Sequence, residues 1–180
     1  MKQSIRESIE IPQGITCEYS EKTIFCKKDS LTLSRKIDIP KISLEIEGNS
    51  IILKSVKANK NERKIIGSYL KHIQNMFQGL NEKFIYKLEA CNVHFPMMLK
   101  IERNKLVINN FLGEKTPRYA EVLPNVDVQI KGTSITITSH DKESAGQTMA
   151  NFERATKVKG RDRRVFQDGI FLVSRPGDEK

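Results

Sequence analysis

The 180-residue chain carries 31 Lys and Arg against 22 Asp and Glu, a net charge of +9, with 38% hydrophobic residues and a sequence pI near 9.5. That balance selects an acidic partner, nucleic acid being the commonest for a basic chain of this size. It excludes a membrane span, because no apolar run approaches the ~18 residues required, and the odd, scattered set Cys17, Cys26 and Cys91 suits reduced thiols in a cytoplasm rather than a disulfide framework.

The amino-terminal MKQSIRESIEIPQG has no apolar core and reads as neither a leader nor an anchor. Residues 9–58 read as a succession of short strands. Ile15 to Tyr19, Thr23 to Cys26 and Leu31 to Ile37 cluster or alternate apolar and β-branched residues, with charged breaks between them and a turn at Lys27 to Ser30. In KISLEIEGNSIILKS, Leu44 and Ile46 answer Ile51 and Leu53 across Gly48-Asn49, a hairpin whose centre tolerates positive φ. From Asn61 to Gln78 the period becomes helical: Ile65, Ile66, Tyr69, Leu70, Ile73 and Phe77 define one buried stripe. Asn59 with Glu62 forms a capping box, and Gly79 is the expected stop.

The same order returns about 80 residues later. Two strands, Met97 to Glu102 and Leu106 to Asn110, turn at Arg103-Asn104, and FLGEKTPRYAEVLP follows as a loop bringing Lys115 and Arg118. VDVQIKGTSITITS repeats the hairpin, with Val128 and Ile130 facing Ile135 and Ile137 about Gly132-Thr133. Asp141 to Lys159 repeats the helix, presenting the smaller face Ala145, Gly146, Met149 and Phe152 and ending at Gly160. Two hairpin-then-helix segments in matching register predict an α+β protein made of two tandem copies of a small antiparallel sheet packed on one helix. The first copy is residues 1–82 and the second residues 83–180.

Charge is concentrated past that second helix. Arg154, Lys157, Lys159, Arg161, Arg163 and Arg164 are opposed by Asp162 alone, so the segment carries +5. Residues 83–180 hold 17 Lys and Arg against 12 Asp and Glu, also +5, so the rest of that half is neutral. The helix macrodipole accounts for Arg154, Lys157 and Lys159 without any partner. It does not account for Arg161, Arg163 and Arg164, which lie beyond Gly160. A compact positive surface, closed by an Asp168-Gly169 turn and pinned to its own domain by Phe166 and Phe171, is built for a polyanion; stacking of the two rings on exposed bases is the alternative to pinning.

Other chemistries find no support. Cys91 and His94 on one strand would point to opposite faces, which removes them both as a metal pair and as a nucleophile with its base. Cys17 and Cys26 read as small core residues on adjacent strands. There is no Gly-rich phosphate loop, since Gly113 before Glu114-Lys115-Thr116 lacks the earlier glycine. The sequence therefore predicts no catalytic residue, no metal, no cofactor and no small-molecule substrate.

The stretch DKESAGQTMANFERATKVKGRDRRVFQDGIF, with FLGEKTPR and HFPMMLKIERNKLVI before it, resembles the archaeal and eukaryotic branch of the ribosomal protein L6 family of the large subunit. The resemblance covers essentially the whole chain. It implies two tandem α+β domains and a cytoplasmic place in the ribosome beside neighbouring large-subunit proteins. It also implies binding to large-subunit rRNA, mainly by the carboxy-terminal domain, near the sarcin–ricin loop and the docking site of translation factors. Matched residue by residue, the RNA-facing positions are Lys157, Lys159, Gly160, Arg161, Arg163 and Arg164, with Lys115 and Arg118 as weaker candidates, and Arg154 joins the RNA-binding set as the first cation of the basic segment. The alternative is a free-standing RNA-binding regulator or chaperone with the same basic segment.

Overall fold

The computed structural model describes residues 3–38, 40–93 and 95–178. The chain divides into two compact units, Met1–Glu82 and Lys83–Lys180.

In the first unit, strands β1 (Gln3–Glu10), β2 (Thr16–Ser20), β3 (Thr23–Lys28), β4 (Leu31–Lys36), β5 (Ser43–Glu47) and β6 (Ser50–Ala58) precede helix α1 (Lys60–Asn81). They form two three-stranded antiparallel sheets, β2-β3-β4 and β1-β6-β5. The hairpin of β5 and β6 turns at Gly48, whose φ of 59° is the left-handed value expected of a tight turn. Within this unit β1 is the strand that sequence patterning passes over, because Arg6, Glu7 and Glu10 interrupt its apolar residues. Its inward positions nonetheless reach the core: Ile9 is buried opposite Ile51, and Ile11 is buried just beyond the strand.

Helix α1 starts at the predicted capping box. The Asn59 side chain accepts from the N–H groups of Asn61 (2.7 Å) and Glu62 (3.3 Å), and the Glu62 carboxylate accepts from Asn59 N–H at 2.9 Å. Ile66, Ile73 and Phe77 are buried as expected, joined by Met76 and Leu80, while Tyr69 and Leu70 pack partly against the same cluster and Ile65 is only half-buried. Gly79 does not stop the helix. It is buried within the last turn, and the helix continues to Asn81 because Leu80 is one of its anchors.

The second unit comprises β7 (Phe84–Cys91), β8 (Met98–Glu102), β9 (Lys105–Asn109), β10 (Arg118–Glu121), β11 (Asp127–Lys131), β12 (Ser134–Ser139), α2 (Lys142–Ala155) and β13 (Gly169–Ser174). Its antiparallel sheets are β11-β12-β7-β13 and β10-β9-β8. Strand β7 alternates strictly: Phe84, Tyr86, Leu88 and Ala90 are buried and the residues between them are exposed. Helix α2 lies against β7, β10, β12 and β13 and buries Ala145, Thr148 and Phe152. Its small face serves close approach, since a Cβ added at Gly146 would sit 3.3 Å from the Tyr86 hydroxyl. Both units are thus α+β, each with one α-helix among the described residues. Each holds two small sheets where the sequence pattern anticipates one. Among the described residues, no helix is long and apolar enough to cross a membrane.

Three readings of the second unit differ from expectation. The stretch FLGEKTPRYAEVLP is not loop throughout, since Arg118–Glu121 forms β10 and pairs with β9. Helix α2 ends at Ala155, four residues short of Lys159. Asp168-Gly169 is not a turn: Gly169 opens β13 opposite Cys91, and Asp168 is buried at its threshold.

Candidate nucleic-acid interface

The end of α2 and the start of β13 are fastened to each other by one buried residue, Thr156. Its hydroxyl donates toward the carbonyls of Phe152 and Glu153 (both 3.3 Å) and accepts the N–H of Ile170 at 2.9 Å. Diverting the hydroxyl and the chain in this way terminates the helix. Two further bonds close the same neck. Asp168 accepts Val93 N–H at 2.5 Å, and Glu153 accepts Leu172 N–H at 3.2 Å. Residues 157–167 therefore form a loop tied at its base.

Inside the loop, Gly160 takes φ of 67° with no neighbouring atom within 4 Å of where a Cβ would stand. Asp162 organises the next turn. Its carbonyl accepts from Val165 N–H (3.2 Å) and Phe166 N–H (3.0 Å), and its carboxylate accepts Arg164 N–H at 2.9 Å. The segment's one anion is thus engaged in holding backbone. Its ion pair with Arg164 is loose, at 3.7 Å, and the Arg164 side chain is 94% exposed.

All six cations are exposed. Among the described residues, Arg154, Lys157, Lys159, Arg161 and Arg163 form no ion pair with a carboxylate. Only Arg154 lies in the last turn of α2, so the macrodipole explanation covers that residue and not Lys157 or Lys159. A groove of about 850 Å³ is lined by four of the six cations, Arg154, Lys157, Arg163 and Arg164, with Val158 and Phe166 contributing apolar wall. The Arg161 guanidinium lies 4.9 Å from the centre of the Phe166 ring, a cation–π contact that leaves its N–H edge free to meet phosphate.

The aromatic pinning takes a different form from the one expected. Phe166 is half-buried, but Phe171 is 42% exposed on the open side of its strand, and the anchor is Ile170, which is 1% exposed. Period-two alternation in β13 explains the exchange, since inward Ile170 forces Phe171 outward.

Lys115 is exposed. Arg118, the other weaker candidate, is occupied within the protein. Its guanidinium donates to Glu114 at 2.7 and 2.5 Å and to the carbonyls of Ala155 (2.9 Å) and Lys157 (3.3 Å), and it lies 4.2 Å from the centre of the Phe111 ring. The hydrogen-bonded Arg118, with a smaller contribution from Arg161, holds the Glu114 carboxyl below its usual range against the opposing effect of partial burial. Arg118 thereby ties β10 to the last carbonyls of α2 and to the first residue of the basic loop. The bonds of Arg118 to Ala155 and Lys157 and of Thr156 to Ile170 have no local sequence signal, because they join residues 14 to 39 apart in the chain.

Among the described residues, no three His, Cys, Asp or Glu groups gather as a metal site. His94, half of the Cys91–His94 pair considered from sequence, lies outside the described residues. Cys91 ends β7 and is exposed. Cys17 and Cys26 do face each other across β2 and β3, half-buried and buried respectively.

Comparison with known proteins bears on the region just described. The family model of Ribosomal protein L6 matches residues 95–169, which include every cation of the basic segment together with Lys115 and Arg118. The large ribosomal subunit protein uL6 of Methanococcus vannielii is 42% identical over 173 residues, covering 96% of this chain and 95% of that protein. That of Methanobrevibacter smithii is 42% identical over 172 residues, covering 96% and 97%. That of Methanothrix thermoacetophila is 37% identical over 175 residues, covering 97% and 99%.

Proposed function

The chain belongs to the ribosomal protein L6 family, whose role is structural rather than enzymatic, and on that premise we propose that it binds large-subunit rRNA in the cytoplasmic ribosome through the exposed loop after α2. Arg154, Lys157, Lys159, Arg161, Arg163 and Arg164 meet phosphates, and Gly160 lets backbone approach. Lys115 adds to the field, and Arg118 holds the loop in place. Neighbouring large-subunit proteins, the sarcin–ricin loop and the factor-docking region are its surroundings in this reading.

The observation that carries it is the pairing state of the cations. A +5 segment whose only carboxylate is engaged in its own turn offers its charge outward. Lys and Arg that neutralise phosphates release condensed counterions, so affinity falls steeply with salt. Four of the six cations are Arg, whose planar fork fixes phosphate contacts. Selectivity then comes from RNA shape and 2′-hydroxyls, since side chains cannot read the deep major groove of A-form RNA.

The test is equilibrium binding of the full chain to large-subunit rRNA across a salt series. Replacing Arg161, Arg163 and Arg164 together with Ala is expected to lower the log–log salt slope by about 2–3 units, roughly one per lost phosphate contact. An unchanged slope would place the interface elsewhere.

A further inference from the structure

The hairpin of β2 and β3 turns through Glu21 and Lys22, both at positive φ (48° and 59°), which is the two-residue turn of type I′. In such a hairpin the residues flanking the turn, Ser20 and Thr23, form a hydrogen-bonded pair, and pairs alternate from there. Counting back, Tyr19–Ile24 is non-hydrogen-bonded, Glu18–Phe25 hydrogen-bonded, and Cys17–Cys26 non-hydrogen-bonded. Non-hydrogen-bonded positions bring opposed Cα atoms to about 4.5 Å with side chains at their closest. A disulfide accepts Cα separations of roughly 4.4–6.8 Å, so the backbone here needs no rearrangement to carry one. The sulfurs already touch, with Cys17 Sγ 3.3 Å from Cys26 Sγ.

We propose that Cys17 and Cys26 form a peroxide-sensitive dithiol, which hydroperoxides convert to a cross-strand disulfide in the first unit and thiol reductants restore. Cys17 is the attacking group, because it is only half-buried whereas Cys26 is fully buried. The protonation asymmetry agrees. The contact with Cys26 lowers the Cys17 thiol below its ordinary value, while the same contact and burial push the Cys26 thiol up.

In the first step the Cys17 thiolate bonds to one peroxide oxygen, the O–O bond breaks, and hydroxide leaves and is protonated to water. Cys17 is then a sulfenic acid. In the second, the Cys26 sulfur attacks the Cys17 sulfur, the S–O bond breaks, and hydroxide departs with the proton of Cys26 as a second water. Two thiols and one hydrogen peroxide become one disulfide and two waters. The bond closes a ring between adjacent strands of the first unit.

The experiment uses the full chain with Cys91→Ser, which removes the exposed third thiol. Hydrogen peroxide is added stepwise and the product is read by intact mass, thiol titration and peptide mapping. The expected result is loss of both thiols together, a mass lower by two hydrogens, a linked Cys17–Cys26 peptide, and full reversal by dithiothreitol. In a Cys26→Ser version of the same chain, Cys17 should stop at sulfenic acid and be trapped by dimedone. Retention of both thiols at doses that oxidise Cys91 completely in the unsubstituted chain would overturn the proposal. So would oxygen addition to either sulfur in the Cys91→Ser chain without the cross-link.

Discussion

Replacing Arg118 with Ala removes three contacts at once, and the structure lets each be weighed. The hydrogen bonds to the carbonyls of Ala155 and Lys157 are charge-assisted, a class contributing about 1.5–3 kcal/mol. The guanidinium over the Phe111 ring adds roughly 0.5–2 kcal/mol. The forked pair with Glu114 adds about 0.5–1 kcal/mol, because both side chains retain solvent contact. These contributions share one side chain and do not sum, so the expected loss is about 3 kcal/mol. At about 4–8 °C per kcal/mol for a unit of this size, the melting transition of residues 83–180 should fall by roughly 12–24 °C. Circular dichroism of the full chain reads that transition, and hydrogen exchange at Ile170 reports whether the loop's neck loosens with it. Arg118→Lys should recover only a minor part, since an ammonium cannot fork to Glu114 while reaching two carbonyls. A fall below about 5 °C, or full recovery by Lys, would refute the reasoning. Below the melting transition, the salt slope of RNA binding should stay unchanged in both variants, which separates a brace from a phosphate ligand.

Glu114 supplies a pH signature. Its folded-state carboxyl is held below the ordinary value, so the stability it contributes is present above the unfolded pKa and is lost as pH falls through the folded one. Glu114→Gln should therefore melt below the unsubstituted chain at neutral pH, and the gap should narrow as pH drops from about 5 toward 3; a gap independent of pH would rule out the ionised pair. The division of labour is tested with fragments: residues 83–180 should retain most rRNA affinity and residues 1–82 little, although the latter also carries +4 (14 Lys and Arg against 10 Asp and Glu). Equal binding by the two halves would mean that total charge, and not its concentration beside α2, governs the contact.

What could be seen in the sequence was local. The hairpins at Gly48 and Gly132 announce themselves because a positive φ demands particular residues at the turn, and both glycines adopt it at 59° and 61°. The capping box of α1 needs only Asn59 and Glu62 at the right spacing. Gly79 misleads for the complementary reason: a glycine near a helix end is a stop signal unless tertiary packing claims the turn beyond it, and Leu80 does so. The basic residues were readable as charge, but which of them face outward was not. Arg118 and Lys115 sit three apart, the first opening β10 and the second in the loop before it, and only packing reveals that Arg118 is braced against Phe111 and two carbonyls while Lys115 is exposed. Helix α2 likewise reads as running to Lys159, because nothing in its periodicity discloses that Thr156 will bond across to a strand 14 residues on.

The closure at Thr156 and Asp168 has a consequence for how the loop can vary. Both feet of the span from Lys157 to Gln167 are bolted to the sheet and helix, so its ordering entropy is settled during folding rather than on encounter with a ligand. Length changes near Gly160, where space is open, would leave the register of β13 on β7 untouched. Length changes at either foot would shear that register and turn Ile170 out of the core. Related chains should accordingly differ in reach at the crest and agree at the base.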